Sequence, residues 1–305
     1  MTKKQFAHAC AIFSVIVWGS TFVSTKILLQ AFTPLEILIF RFLIGYIALF
    51  IFTLHKHIKP KKSEEIMFFL AALSGIVLYF LFENIALTLT TASNVGIIIA
   101  IAPIFTTLFA AFFLKGEQLK VPFFIGMMLS LLGIIIMSIF NGSALSFHPV
   151  GDGLALLAAI FWAAYSILIK KIAAFGYPIL QTTRRIFGYG LLSMLPCLLF
   201  FDFSPNLAAL LSVKNSGNLL FLGLGASALC FLTWNYALDI LGATKTSVYI
   251  YALPAITIIL SWIFLNEIPT VQIIVGIVFV LFGLFIAESS HKDASIPKDK
   301  TLDGD

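Results

Sequence analysis

Charged side chains set inside long apolar runs have the most chemistry open to them in this chain, because a charge in hydrocarbon must be paired, solvated or used. Lys26, Glu36, Arg41, Glu83 and Arg185 are such residues. Cations and carboxylates held at that depth can form ion pairs that break and reform, as in a gate, or a static neutralising network. A second set suits the binding of a small solute. Trp18, Trp162, Tyr165 and Tyr251 offer aromatic faces, Thr21 a hydroxyl, and Asn84 and Asn235 amide groups. Pro103 and Pro254 add a different kind of polarity: a proline inside a helix frees the carbonyl four residues earlier, here at Ile99 and Ile250. In a membrane such a carbonyl is tolerated where it faces protein or a water-filled cavity.

No His-Glu-x-x-His, Gly-x-Ser-x-Gly or Gly-x-x-x-x-Gly-Lys pattern occurs. Metal or serine hydrolysis and direct use of ATP are therefore disfavoured, and no catalytic residue, metal or cofactor is expected. Cys10, Cys197 and Cys230 stand in separate apolar segments, which excludes a disulfide framework.

The elements that must position these side chains are membrane helices. Of 305 residues, 60% are hydrophobic and 11% charged, against about 25% charged in soluble domains. Apolar runs recur at about 8–29, 33–54, 66–88, 92–114, 121–140, 151–172, 179–200, 217–239, 243–265 and 269–287, each long enough to cross about 30 Å of hydrocarbon. The first run is too long for a signal peptide and is expected to be retained. The net charge of +5 comes from cations between the runs, which points to membrane orientation rather than to nucleic acid. With a cytoplasmic N-terminus, fourteen lysines fall inside and only Lys26 and Lys214 outside, so both termini are expected in the cytoplasm.

The runs form two copies. Trp18, Lys26, Pro34 and Arg41 recur as Trp162, Lys170, Pro178 and Arg185, each 144 positions on. Asn84 and Pro103 recur as Asn235 and Pro254, each 151 on, and Glu117 as Glu267, 150 on. Glu83 is an exception: its counterpart is Trp234, which singles it out as a carboxylate able to take up and release a proton. Five spans per copy force the second copy to enter the membrane from the opposite side. The expected fold class is an all-α integral membrane protein with ten transmembrane helices in a 5+5 inverted repeat. The expected units are residues 1–142, 143–288 and a disordered cytoplasmic tail at 289–305. Such repeats commonly build alternating-access transporters with a site where the halves meet. Glu117 and Glu267 close spans four and nine and are expected to cap the span that follows each.

Trp18-Gly19-Ser20-Thr21-Phe22 with Lys26, Pro34 and Arg41, and the run from Asn84-Ile85-Ala86-Leu87 through Ala92-Ser93 and Ala102-Pro103 to Lys115-Gly116-Glu117, resemble the EamA-type permeases of the drug/metabolite transporter superfamily. The likeness covers the chain apart from its tail. It implies a ten-helix inverted-repeat fold, a central cavity and, often, export of amino acids or other small metabolites across a bacterial inner membrane. The second copy departs from it, with Ala163-Ala164 for Gly19-Ser20 and Leu265-Asn266-Glu267 for Lys-Gly-Glu. On this reading the cavity residues are Trp18, Thr21, Asn84, Pro103, Trp162, Tyr165, Asn235, Tyr251 and Pro254, and the gate or ion-pair residues are Lys26, Glu36, Arg41, Glu83 and Arg185. The partners are a small-molecule substrate and the lipid bilayer, with protons as a candidate coupling ion; monomer and homodimer stay open. Alternatives are an antiporter for phosphorylated or nucleotide-linked sugars, which would want cations in the cavity, and, from another class, a membrane enzyme or non-transporting scaffold.

Overall fold

The computed structural model describes residues 1–54, 58–114, 121–139 and 148–289. The expected boundary at 142/143, Glu117, Lys56, Lys115, Lys120 and the tail from position 290 lie outside the described residues. Among the described residues, seven helices are long and apolar enough to cross a membrane. They are α1 (Lys3–Leu28), α2 (Pro34–Ile51), α3 (Lys62–Leu89), α4 (Ala92–Phe113), α6 (Pro149–Ala173), α8 (Val213–Leu241) and α9 (Ala243–Leu265). Two more apolar helices, α5 (Val121–Ile139) and α10 (Val271–Ser289), and the more polar α7 (Ile179–Met194), which carries Arg184 and Arg185, stand between and after them.

Local chemistry sets the starts and breaks. Thr2 and Thr33 each cap a helix through a capping box, in which their hydroxyls accept from the third backbone N–H while Gln5 or Glu36 reaches back. Pro103 and Pro254 interrupt α4 and α9: α-helix stops at Ile99 and resumes at Ala102 in the first, and a 3₁₀ stretch Val248–Ala252 precedes the second. Wide π-helical turns occupy Leu73–Leu78 of α3 and Phe221–Leu229 of α8, at corresponding places in the two copies.

Several expected spans differ from what is seen: α1 starts at Lys3 rather than 8 and α3 at Lys62 rather than 66. The run at 179–200 is α-helical only to Met194 and passes into a 3₁₀ turn at Leu195–Leu199, because Pro196 cannot donate to the helical ladder. Helix α8 starts at Val213 rather than 217. Asn215 and Ser216, expected in a connector, instead donate from the helix to the carbonyls of Ala209 and Leu210.

Contacts between helices repeat with the sequence. The packing of α1 on α8 is matched by α6 on α3, that of α2 on α8 by α7 on α3, and that of α1 on α9 by α6 on α4. Helices α2 and α7, α4 and α9, and α5 and α10 meet as counterparts. The last crossing is the closest. A Cβ on Gly133 would stand 2.6 Å from the Gly276 carbonyl, and one on Gly283 2.5 Å from that of Gly126. Polarity is turned inward: Ser14, Thr25, Arg41, Asn84, Ser166 and Thr183 are fully buried while Phe112, Leu199 and Val213 face outward, as lipid requires.

Candidate functional site

A small enclosed space of about 20 Å³ lies where the two copies meet. Two counterpart pairs line it: Trp18 with Trp162, and Ile99 with Ile250. The isoleucines are the residues four before each proline, so both helix breaks border the cavity. Thr21, Phe22, Tyr79, Phe80 and Leu253 complete the wall. The indoles of Trp18 and Trp162 meet edge to face, with centroids 5.1 Å apart and planes at 87°, an arrangement favoured by the ring quadrupoles. The Trp18 Nε1–H donates to the Ala226 carbonyl at 2.9 Å, in the π-helical turn of α8. The Trp162 indole nitrogen is buried with no hydrogen-bond partner. A volume of this size has room for about one water, so the cavity as it stands is too small for a metabolite.

Of the residues expected at the cavity, Trp18, Thr21 and Trp162 line it. The others sit elsewhere. Asn84 donates to the Pro34 carbonyl at 3.1 Å, tying α3 to the start of α2. Tyr165 packs onto Gly75, where a Cβ would come within 2.2 Å of its ring, and its hydroxyl donates to Asn235 at 2.9 Å. Asn235 passes the chain on to the Thr183 hydroxyl at 3.3 Å. Tyr251 belongs to a separate apolar cluster with Ile97, Ile258 and Ile273. Pro103 and Pro254 are buried behind the lining and act on it through the isoleucines. Tyr79 and Phe80 line the cavity without having been expected there; their spacing from Glu83 and Asn84 on one helix is the signal that places them near the site.

The residues expected as a gate or ion-pair set, Lys26, Glu36, Arg41 and Glu83, are divided in the structure. Glu36 is used as a cap, accepting from the Thr33 N–H at 2.8 Å and, across the halves, from the Ser204 N–H at 3.0 Å. Lys26 donates to the Leu87 and Thr90 carbonyls at 2.5 and 2.7 Å, closing the C-terminal end of α3, where helical carbonyls lack partners. Its counterpart Lys170 does the same for α8 through the Asp239 carbonyl, at 2.8 Å. Arg41 and Glu83 are both buried near the cavity wall, but among the described residues no ion pair within 4.0 Å joins them, and Arg41 Nη1 and Nη2 and Glu83 Oε1 have no hydrogen-bond partner. The Arg41 guanidinium stacks 4.1 Å over Phe80 and donates through Nε to Ser227 at 3.1 Å. Arg41 therefore stands directly behind Phe80 in the cavity wall. Arg185 forms a bidentate pair with Glu65, and Tyr189 donates to the same carboxylate at 2.8 Å. Glu65 escapes sequence reading because it falls in the polar first turn of α3, before the apolar run.

Glu267 corrects the expectation that it caps the following helix. Its carboxylate accepts from the Ala92 and Ser93 N–H groups, each at 3.2 Å, and from the Ser93 hydroxyl at 2.7 Å. It thus caps α4 of the other copy, where negative charge complements the helix dipole. Glu267→Ala is expected to lower stability by about 1–2 kcal/mol, the usual cost of a lost cap, and Glu267→Gln by less; thermal unfolding in detergent measures both.

The model of the EamA-like transporter family matches residues 5–139 and again 149–288. The chain is 27% identical to an uncharacterized transporter of Archaeoglobus fulgidus, covering 93% of this chain and 98% of that one. It is 26% identical to the uncharacterized transporter YdfC of Bacillus subtilis, covering 88% and 86%. It is 23% identical to a probable terminal-alkyne amino-acid exporter of Streptantibioticus cattleyicolor, over 97% and 99%. A solved crystal structure shares the fold, with a TM-score of 0.68 at 19% identity over 94% of this chain and 98% of its own. Two family matches, one per copy, account for nearly the whole sequence, and the chain belongs to the EamA-like transporter family.

Proposed function

We propose that this multi-pass membrane protein is a secondary transporter that exports small metabolites, amino acids or related compounds, across a bacterial inner membrane by alternating access. The observation that carries the reading is the cavity bordered by counterpart residues of both copies, Trp18 with Trp162 and Ile99 with Ile250. A site on the axis between two halves can be opened to either side by the same rocking motion. Ten spans in two inverted units, split near 142/143 with both termini in the cytoplasm, agree with the lysine distribution and with helix contacts that recur in the two copies. The similarity to a probable amino-acid exporter supports export and the solute class. Among the described residues the cavity wall holds no lysine or arginine, so a phosphorylated sugar is not favoured.

In this mechanism the aromatic walls stack on the apolar part of the solute while backbone carbonyls at the helix breaks and the unpartnered Trp162 N–H orient its polar groups. Ligand pockets of about 300–1,000 Å³ are usual, so solute binding requires the halves to part. Glu83, beside Arg41 and one residue layer from the cavity, is the carboxylate for proton coupling. Trp18→Ala and Trp162→Ala are each expected to reduce flux in proteoliposomes by about tenfold, the effect of losing roughly 1.4 kcal/mol of binding. Undiminished flux in both, at matched protein content, would rule out this cavity as the site.

A further inference from the structure

A second cleft, of about 350 Å³, lies between α2 and α7 and shares no residue with the central cavity. One end holds Arg184 and Arg185. From there it runs past Gly188 to Leu192 along α7, with Tyr46 and Phe50 of α2 as the facing wall. Leu192 is seven residues beyond Arg185, or about 10 Å along a helix. The cleft is thus cationic at one end and apolar over the length of a short hydrocarbon segment. Phe50 and Leu192 are exposed, 39% and 62%, so the apolar part is open to lipid. Gly188 provides the floor, its missing side chain leaving Tyr46 as the nearest neighbour at 3.3 Å from a Cβ.

The two cations differ in origin. Arg185 has a counterpart in Arg41, whereas the position matching Arg184 is Phe40. A shared structural need would place a cation in both copies; Arg184 is present in the second alone. Its guanidinium is fixed, donating through Nη1 to the Thr53 carbonyl at 3.0 Å and hydroxyl at 2.8 Å. Ile58 closes the cationic end, and the chain beyond it carries the exposed Lys59, Lys61 and Lys62. In this segment three lysines stand beside two carboxylates, Glu64 and Glu65, of which Glu65 is paired with Arg185, while Arg184, the other cation of the cleft wall, is held by Thr53. Basic clefts between helices on the cytoplasmic side suit anionic lipid headgroups.

We infer that the α2–α7 cleft binds an anionic phospholipid, with its phosphate at Arg184 and an acyl chain along Gly188 and Leu192. The inference needs only that the protein lies in a bilayer and is independent of the transported solute; the orientation proposed above assigns it to the inner leaflet. The test is thermal unfolding of the purified full chain in detergent, titrated with phosphatidylglycerol, with phosphatidylcholine and with soluble glycerol phosphate. Phosphatidylglycerol is expected to raise the midpoint saturably, with the other two giving little shift. Arg184→Gln should weaken the apparent affinity about tenfold, as expected for a charge-assisted hydrogen bond. Leu192→Trp, on an exposed position that narrows the groove, tests the acyl end if Arg184→Gln fails to fold, and should also weaken it. An equal shift with phosphatidylcholine, an equal shift with glycerol phosphate, or unchanged phosphatidylglycerol affinity in the folded variants would overturn the inference.

Discussion

Replacing Arg41 by leucine is expected to cost about 2–3 kcal/mol of stability, the range for losing a hydrogen bond from a charged donor and a desolvated cation–π contact. The side chain is fully buried, and its removal leaves the Glu83 carboxylate, 1% exposed, without its opposing charge. The stacking on Phe80 and the bond to Ser227 are lost as well. Removing both charges is a different change. Arg41→Leu with Glu83→Gln should recover only the part of the loss that comes from a buried carboxylate left without a nearby cation, and not the part that comes from Phe80 and Ser227. Unfolding of the two single variants and the double variant in detergent gives the coupling directly. Flux separates structure from coupling: Glu83→Gln should retain transport but lose its dependence on a proton gradient. Equal dependence in wild type and Glu83→Gln would remove the carboxylate from the transport cycle and leave it a structural partner of Arg41.

The second large effect is expected at the α5–α10 crossing. Alanine at Gly283 puts a Cβ 2.5 Å from the Gly126 carbonyl and 2.7 Å from the Ser130 nitrogen. These are backbone atoms of a rigid helix and cannot turn aside as a side chain would, so the helices must separate. Overpacking of this kind costs about 1–3 kcal/mol. Gly133→Ala meets the Gly276 carbonyl at 2.6 Å and should cost a similar amount. The two changes strain the same contact, so the double variant should fall short of their sum. Gly153→Ala serves as the comparison: no atom lies within 4 Å of its Cβ, and its stability should stay within about 0.5 kcal/mol of wild type. Thermal unfolding of the four variants decides the matter, and a Gly283→Ala protein as stable as Gly153→Ala would contradict the packing.

The membrane class and the doubled organisation were legible in the residues themselves. Apolar runs separated by lysines identify helices in lipid, and the recurrence of Trp18, Lys26, Pro34 and Arg41 as Trp162, Lys170, Pro178 and Arg185 pairs the two copies. The prolines were informative because their effect is local and covalent: each acts on the carbonyl four residues back, and Ile99 and Ile250 both border the cavity. What could not be read is what depends on contact between distant segments. Glu267 caps α4 rather than its sequence neighbour because Ala92 and Ser93 arrive there only when the halves pack. Asn84 and Asn235 match in sequence yet serve different helix contacts, since Pro34 and Thr183 are not counterparts. Nothing in residue periodicity marks the π-helical turns. Their signal is the close approach of Tyr165 to Gly75 and of Ile44 to Gly223, again across the chain.

The edge-to-face meeting of Trp18 and Trp162 sets a limit on the symmetry that the duplication provides. Two equivalent residues on a twofold axis can stack in parallel without preference, but in a perpendicular pair one ring must present its rim and the other its face. The difference extends to the indole nitrogens, since Trp18 is engaged with Ala226 and Trp162 is not engaged at all. The position matching Ala226 in the other copy is Gly75, whose carbonyl lies in the corresponding π-helical turn. The closed cavity is therefore already a left-or-right choice between two mirror assignments of role, made by identical side chains before any solute is present.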